Sequence, residues 1–379
     1  MMDTFGRRFD IQTTSGKLCA PVFFPDATRA SVRGLGSEDV ASLGISALVV
    51  NTYHLLLGPG AKRIARAGGV HAFMRWPHPI LSDSGGYQIY SLIHKRPNLG
   101  RITEEGAEFR DERSGAKHTL SPEDAIRIQF DLGVDMMVVL DDPRPNDAPD
   151  EEIASAADRS VRWAARCREE FDRQVKKRGL GSEEKPLLFS VVQGGKSREI
   201  RKRCAEGLVD IGFDGYGFGA RHVDENGEFL EDIVRFTASI LPEDKPRFAL
   251  GVGNPEDIVR CFFFGWDMFD CVIPTREGRH GKIFVFCSEG GVEEGFYETF
   301  SITGERFRED DRVIEESCDC PACSGGYSRA YLRHLFRSGE PLGPRLASAH
   351  NLRFYARLTE RLKRAVSDGI SRNEKSVVQ

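Results

Sequence analysis

Seven short apolar runs in this chain each carry a polar residue or a glycine at or near the C-terminal end: Asn51, Asp83, Asp141, Gln193, Gly219, Gly251 and Asp270. The runs span 47–51, 80–83, 136–141, 187–193, 215–219, 248–251 and 268–272, and an eighth, 22–24, precedes them. Several are apolar on both faces, as buried parallel strands are. Helical patterns lie between most of them. Ser121-Pro122-Glu123-Asp124 combines an N-cap serine, a proline at the first helical position and acids in the first turn. Residues 150–178 read as one long helix, and Asn254-Pro255-Glu256-Asp257 opens another. Eight strands with helical crossovers predict an α/β fold of the (β/α)8 TIM-barrel type. A doubly wound sheet is the rival. The barrel brings all the polar strand ends into one mouth, whereas an open sheet spreads them along an edge.

After Asp270 the pattern changes. Residues 282–286 and 298–302 read as short strands, and two basic helices follow near 328–338 and 345–367. The predicted division is 1–274 for the main part of the barrel, 275–350 for an inserted subdomain and 351–379 for a closing helix and tail, frayed after Ser371. The insert holds Cys318-x-Cys320-x2-Cys323, with His350 beyond 26 intervening residues. Three thiolates and an imidazole satisfy tetrahedral Zn²⁺ and leave no position for a catalytic water, so the site reads as structural. Such a site contributes on the order of 10 kcal/mol to folding. His334 is the alternative fourth ligand.

The net charge of −5 argues against a protein that coats nucleic acid non-specifically. The average hides +6 over residues 318–379 against −11 elsewhere. That asymmetry fits either a local polyanion site or a solvated helical face. No apolar run approaches the ~18 residues of a membrane span. The first residues lack an apolar core and a cleavage site. The nine cysteines are odd in number and six are isolated, which predicts a reducing cytoplasm rather than a disulfide framework.

Two further stretches carry chemistry. In Asp83-Ser84-Gly85-Gly86-Tyr87-Gln88 a strand ends in a carboxylate and runs into glycines that admit a flat ligand. In Phe269-Asp270-Cys271-Val272-Ile273-Pro274-Thr275-Arg276 a carboxylate sits among large apolar residues, which is costly unless it is paired or working. With Asn51-Thr52-Tyr53-His54, Val192-Gln193-Gly194, Gly251-Val252-Gly253, Gly278-Arg279, the cysteine cluster and His350-Asn351, these stretches resemble, in order, the tRNA-guanine transglycosylase family. The resemblance covers roughly 15–365. It implies a (β/α)8 barrel with a zinc subdomain that exchanges a guanine in tRNA, in bacteria the anticodon wobble base, for a 7-deazaguanine-type base. It makes Asp270 the nucleophile at ribose C1′ and Asp83 the acid/base. Asp141, Gln193, Gly219 and Ala220 would hold the base and Tyr87 would stack on it. Asn51 would orient Asp270, and Arg276 and Arg279 would grip neighbouring nucleotides. The resemblance also implies a homodimer.

The departures from the family pattern concentrate around the base pocket. Asp141-Asp142-Pro143 stands where bacterial members have Asp-Glu-Cys, and Pro25-Asp26-Ala27-Thr28 replaces Pro-Val-Gly-Thr. Gly219-Ala220-Arg221-His222-Val223-Asp224-Glu225 replaces a Gly-Gly-Leu-Ala-Val-Gly-Glu-like loop, and Asn254 replaces a lysine on the anticodon-reading surface. This pattern predicts an altered 7-substituent, with Arg221 and His222 facing a polar or anionic group. The alternatives are the same chemistry on another tRNA position or on DNA, and a non-catalytic RNA-binding partner subunit. The basic helices would place Arg329, Arg333, Arg337, Arg353 and Arg357 on phosphates.

Overall fold

The computed structural model describes residues 6–376 apart from Arg113 and Glu289, with side chains to Ser367. Eight parallel strands form one sheet: β1 (Val22–Pro25), β2 (Leu48–Asn51), β3 (Ile80–Asp83), β4 (Met136–Val138), β5 (Leu187–Val192), β6 (Gly215–Phe218), β7 (Arg247–Ala249) and β8 (Met268–Cys271). Successive strands pair in order, and β8 pairs with β1 in the register Asp270↔Phe24. A parallel bridge Asp26↔Val49 and the bond from Ala27 N to Val49 O (2.7 Å) close the barrel between β1 and β2. Closure decides for the barrel over the open sheet.

Inward side chains fill the lumen: Phe24, Val49, Leu81, Met136, Phe189 and Phe248 are buried there. A second apolar layer lies between strands and helices. The barrel floor is plugged by a hairpin, Asp10–Thr13 with Gly16–Cys19, that inserts Ile11 and Leu18. Its turn is anchored where Ser15 N donates to the buried Asp135 carboxylate (2.8 Å). A three-stranded antiparallel sheet, Gly100–Ile102, Ala107–Arg110 and Lys117–Leu120, lies between β3 and the next barrel helix. Neither element was expected from sequence, because strands of three or four residues carry too little periodicity.

The helix signals hold. Ser121 and Asp124 form a capping box on Pro122–Leu132, Asn254 Oδ1 accepts from Glu256 N (3.1 Å) at the start of Pro255–Phe263, and the long helix is Asp150–Arg178. Ladder pairing of β4 stops at Val138, short of the predicted 141. Val139 N still donates to Phe189 O (2.9 Å), and Asp141 follows two residues on, lining the mouth.

The insert contains the antiparallel pair Lys282–Phe286 and Tyr297–Ser301, then the short helices Pro321–Ser324 and Arg329–Ser338. Its predicted boundary at 350 needs correction. The closing helix starts at Leu342 and runs to Ser376, so His350 lies inside it. The predicted frayed tail is helical to that point, and its last residues, like the first five of the chain, lie outside the described residues. No helix among the described residues is long and apolar enough to cross a membrane.

Candidate active site

The C-terminal ends of the strands open on a cavity of about 470 Å³. Its walls include Asp83, Asp141, Gln193, Ala220 and Asp270, with Tyr87 at the rim. Parallel strands make this convergence unavoidable, since every strand end points the same way. The three carboxylates are reachable from the cavity and enclosed by protein elsewhere.

Burial, reinforced by the negative charge of Asp270, pushes Asp83 up to about 8. Three donors oppose the shift: Asn51 Nδ2 (2.7 Å), Thr52 N (3.3 Å) and Gly85 N (3.1 Å). Asp270 is pushed up to about 7, chiefly by burial, with the charge of Asp26 adding to it; Gly251 N donates to its Oδ1 (2.7 Å) and opposes. Asp141 rises to about 6 through burial, while Gln193 Nε2 donates to its Oδ2 (2.6 Å). Near neutrality one carboxylate thus holds a proton more firmly than its partner. That difference is the requirement for pairing an acid with a nucleophile.

Asn51 does not act as expected. It pairs in register with Asp83 across β2 and β3, and its amide donates to Asp83 rather than to Asp270. Its Oδ1 accepts from His54 N (3.0 Å), so the side chain is held at both ends.

The cysteine cluster forms a second centre. Cys318, Cys320, Cys323 and His350 are buried, with their donor atoms within 4.8 Å of one another. The sulfurs lie 3.6, 3.4 and 3.5 Å from His350 Nδ1. An ion bonded tetrahedrally to S at about 2.3 Å and N at about 2.0 Å sets that edge at about 3.5 Å. The four donors therefore fit a four-coordinate metal. His350 Nε2–H donates to Phe284 O (2.8 Å), which turns the Nδ1 lone pair toward the thiolates. His334 is exposed and stacked near Tyr331, outside the cluster.

A family model described as queuine tRNA-ribosyltransferase matches residues 3–375. The chain belongs to the queuine tRNA-ribosyltransferase family. It is 42% identical over 359 residues to the queuine tRNA-ribosyltransferase of Novosphingobium aromaticivorans, covering 95% of this chain and 91% of the relative. It is 42% identical over 368 residues to that of Actinobacillus succinogenes (96% and 89%), and 38% identical over 367 residues to that of Halothermothrix orenii (97% and 92%).

Within this queuine tRNA-ribosyltransferase family member, the unusual residues acquire places. Asp142 is fully buried behind Asp141 and ion-paired to Arg144 (3.2 Å) and Arg159. Asn254 caps its helix and accepts from Tyr297 Oη (3.2 Å). Arg221, His222 and Val223 line the cavity, and His222 Nε2 lies 3.3 Å from Asp257 Oδ2. Asn146 Nδ2 donates to the carbonyls of Arg221 (2.8 Å) and Val223 (3.0 Å), which occupies two acceptors of this loop.

The C-terminal arginines need correction. Arg329 pairs with Asp310 (3.4 Å), Arg333 with Glu305, Arg353 with Asp319 (2.5 Å), and Arg357 with Glu315 (2.5 Å). They bind the acidic 305–319 segment to the two helices, and of the five only Arg337 is exposed without a described partner. Beside the mouth, Arg276 and Arg279 follow β8 on the helix Ile273–Arg279. Desolvation, then the like charges of Arg33 and Arg276, holds Arg279 below the usual arginine range. Arg33 thus belongs to the same cationic patch; no motif drew attention to it.

Proposed function

We propose that this chain exchanges a guanine at the anticodon wobble position of tRNA for a 7-deazaguanine-type base. The observation that carries the reading is the pair of carboxylates, Asp83 and Asp270, that line one cavity and feel each other's charge, in a chain of the queuine tRNA-ribosyltransferase family. An Asp270 oxygen attacks ribose C1′ as the C1′–N9 bond breaks. The electron pair leaves with the purine, and Asp83 supplies its proton. The incoming base gives a proton back to Asp83, its N9 attacks C1′, and the Asp270 ester bond breaks. Double displacement keeps the anomeric configuration, as in a retaining glycosidase. A plain partner subunit would not need both carboxylates.

The ionised Asp141 suits the N1–H and amino donors of guanine, and Gln193 and the Ala220 N–H suit O6, with Gly219, whose N–H donates to Val192 O (2.9 Å), setting the backbone for Ala220. Tyr87 provides a stacking face. Arg276 and Arg279 fit phosphates beside the target. Zn²⁺ is the ion we assign to the four-donor centre, where it supplies only structural support. The exposed Tyr331, stacked near Tyr327 and His334, is a surface suited to the homodimer. We assign the enzyme to the cytoplasm, a compartment that holds tRNA. The test is a denaturing gel with anticodon stem-loops: an RNA–protein adduct forms when the wobble base is guanine and not when it is adenine. Adduct formation with both, or with DNA alone, would contradict the reading.

The pH profile follows from the two shifts. Asp270 must be ionised, so kcat/KM rises as pH passes about 7. Asp83 must be protonated, so kcat/KM falls as pH passes about 8. A narrow bell between these values is expected in steady-state guanine exchange. A plateau from pH 5 to 7 would contradict it.

The altered loop bears on the incoming base. With O6 at Gln193 and Ala220, position 7 of the purine lies toward Arg221–Val223. There Asn146 occupies two carbonyl acceptors and Arg221 presents a cation. A substituent bearing an acceptor or a negative charge should compete against labelled guanine about 10-fold better than a cationic aminomethyl group, the effect of one charged hydrogen bond. Equal potency would contradict this selectivity.

A further inference from the structure

We infer that Arg201 is a positioning residue that polarises the base-holding edge of the cavity, so that the Ala220 N–H donor strengthens as the purine departs. The inference rests on the exchange reading above and concerns a residue that touches neither base nor ribose.

Arg201 lies on the helix Arg198–Ile211, directly after β5, and is fully buried. No carboxylate among the described residues pairs with it. Its guanidinium donates only to carbonyls: Nε to Gly195 O (2.7 Å), Nη1 to Val192 O (3.3 Å) and Nη2 to Gly219 O (3.1 Å). The plane also lies over the Phe218 ring, 4.1 Å from its centroid. Burial lowers its proton affinity to about 9, which leaves it cationic at neutral pH. A buried cation without a counter-ion is expensive, so a merely structural spacer would be better served by an apolar side chain. The surroundings are built around it. Gly194 has φ +145, and a Cβ there would stand 2.6 Å from Arg201 Cγ and 2.7 Å from Arg201 N.

The three carbonyls identify the purpose. Val192 C=O shares its peptide with the N–H of Gln193, which donates to Cys204 Sγ (3.4 Å) and is not free for the base, whereas Gly219 C=O shares its peptide with the N–H of Ala220. Ala220 lines the cavity with φ +65, a conformation rare for a residue with a Cβ. Its N–H has no hydrogen-bond partner among the described residues. A cation on the oxygen end of a peptide draws electron density from the nitrogen end and makes that N–H a stronger donor. As the C1′–N9 bond breaks, negative charge spreads over the purine onto O6. A polarised Ala220 N–H aimed at O6 is then worth more in the transition state than in the ground state, as in an oxyanion hole. The same guanidinium fixes the ends of β5 and β6, which sets the spacing between Gln193 and Ala220.

The test compares wild type with Arg201→Met and Arg201→Lys. Each is checked for fold by circular dichroism and metal content, and guanine exchange is measured with wobble-guanine tRNA. For Arg201→Met, kcat should fall about 30-fold, less than the roughly 100- to 1,000-fold cost of removing an oxyanion-hole donor outright because the Ala220 N–H remains, with KM for tRNA unchanged. The rate of adduct formation, the step that expels guanine, should fall equally. Arg201→Lys keeps the charge and should recover most of the rate. A rise in KM for the base with kcat intact would mean that Arg201 only shapes the pocket, and would overturn the inference. So would a kcat within twofold of wild type. If Arg201→Met does not fold, Arg201→Gln, which keeps a donor without the charge, decides by the same split: a fall in kcat with KM intact supports the inference, and a kcat within twofold of wild type overturns it. Absence of exchange in wild type would instead count against the exchange reading itself.

Discussion

Asp270→Asn abolishes guanine exchange and the RNA–protein adduct together, with kcat lowered at least ~10⁴-fold, the scale seen when a covalent nucleophile is removed. The side chain is nearly isosteric, and Gly251 N–H still finds an acceptor in the new amide oxygen. Folding should therefore be preserved. Removing a carboxylate that burial already disfavours leaves Tm unchanged or slightly raised. The substitution also has an electrostatic signature. The charge of Asp270 is one of the causes that hold Asp83 high, so Asp83 should titrate lower in the variant. Infrared titration of the carboxyl band tests that shift, and filter-bound guanine uptake tests the activity. Exchange that survives in Asp270→Asn or in Asp270→Ala would mean that another group attacks C1′.

Cys320→Ser, or removal of the metal by a strong chelator, should unfold the C-terminal subdomain. Structural zinc contributes on the order of 10 kcal/mol, which corresponds to a Tm lowered by roughly 10 °C or more. The effect reaches the barrel because His350 sits on the helix that closes it. One residue on, Asn351 donates to Pro274 O (3.0 Å) and Lys282 O (2.9 Å), and Tyr355 Oη donates to Gly253 O (2.6 Å) beside the cavity. Loss of the ion loosens that helix and, through it, the ends of β7 and β8. Metal analysis should give one equivalent in wild type and less than a tenth in the variant, with a parallel loss of near-ultraviolet dichroism. Unchanged Tm on complete metal removal would contradict a structural role.

The mouth of the barrel was legible because buried parallel strands leave a plain trace: short apolar runs that stop at Asp83 or Gln193. The helix starts at Pro122 and Pro255 were legible because capping chemistry is local. Other features depend on groups distant in sequence. The family resemblance pairs Asn51 with Asp270, yet strand register sets it opposite Asp83. The arginines of the last helices were read as phosphate contacts, yet the acidic 305–319 segment folds back on them. Asn146 and Arg201 donate to the backbone carbonyls of Arg221 and Gly219, 75 and 18 positions away, which no motif encodes. The floor hairpin and the three-stranded sheet were missed because their strands are too short to show a period.

The measurement that tests the central claim most directly is incorporation of labelled guanine into a panel of purified nucleic acids: unmodified tRNAs with guanosine at the wobble position, other tRNAs, and single- and double-stranded DNA. The account predicts uptake confined to the wobble-guanosine tRNAs, saturating at one base per molecule. Uptake into DNA or into tRNAs lacking that guanosine, or no uptake by folded, metal-loaded protein, would contradict it.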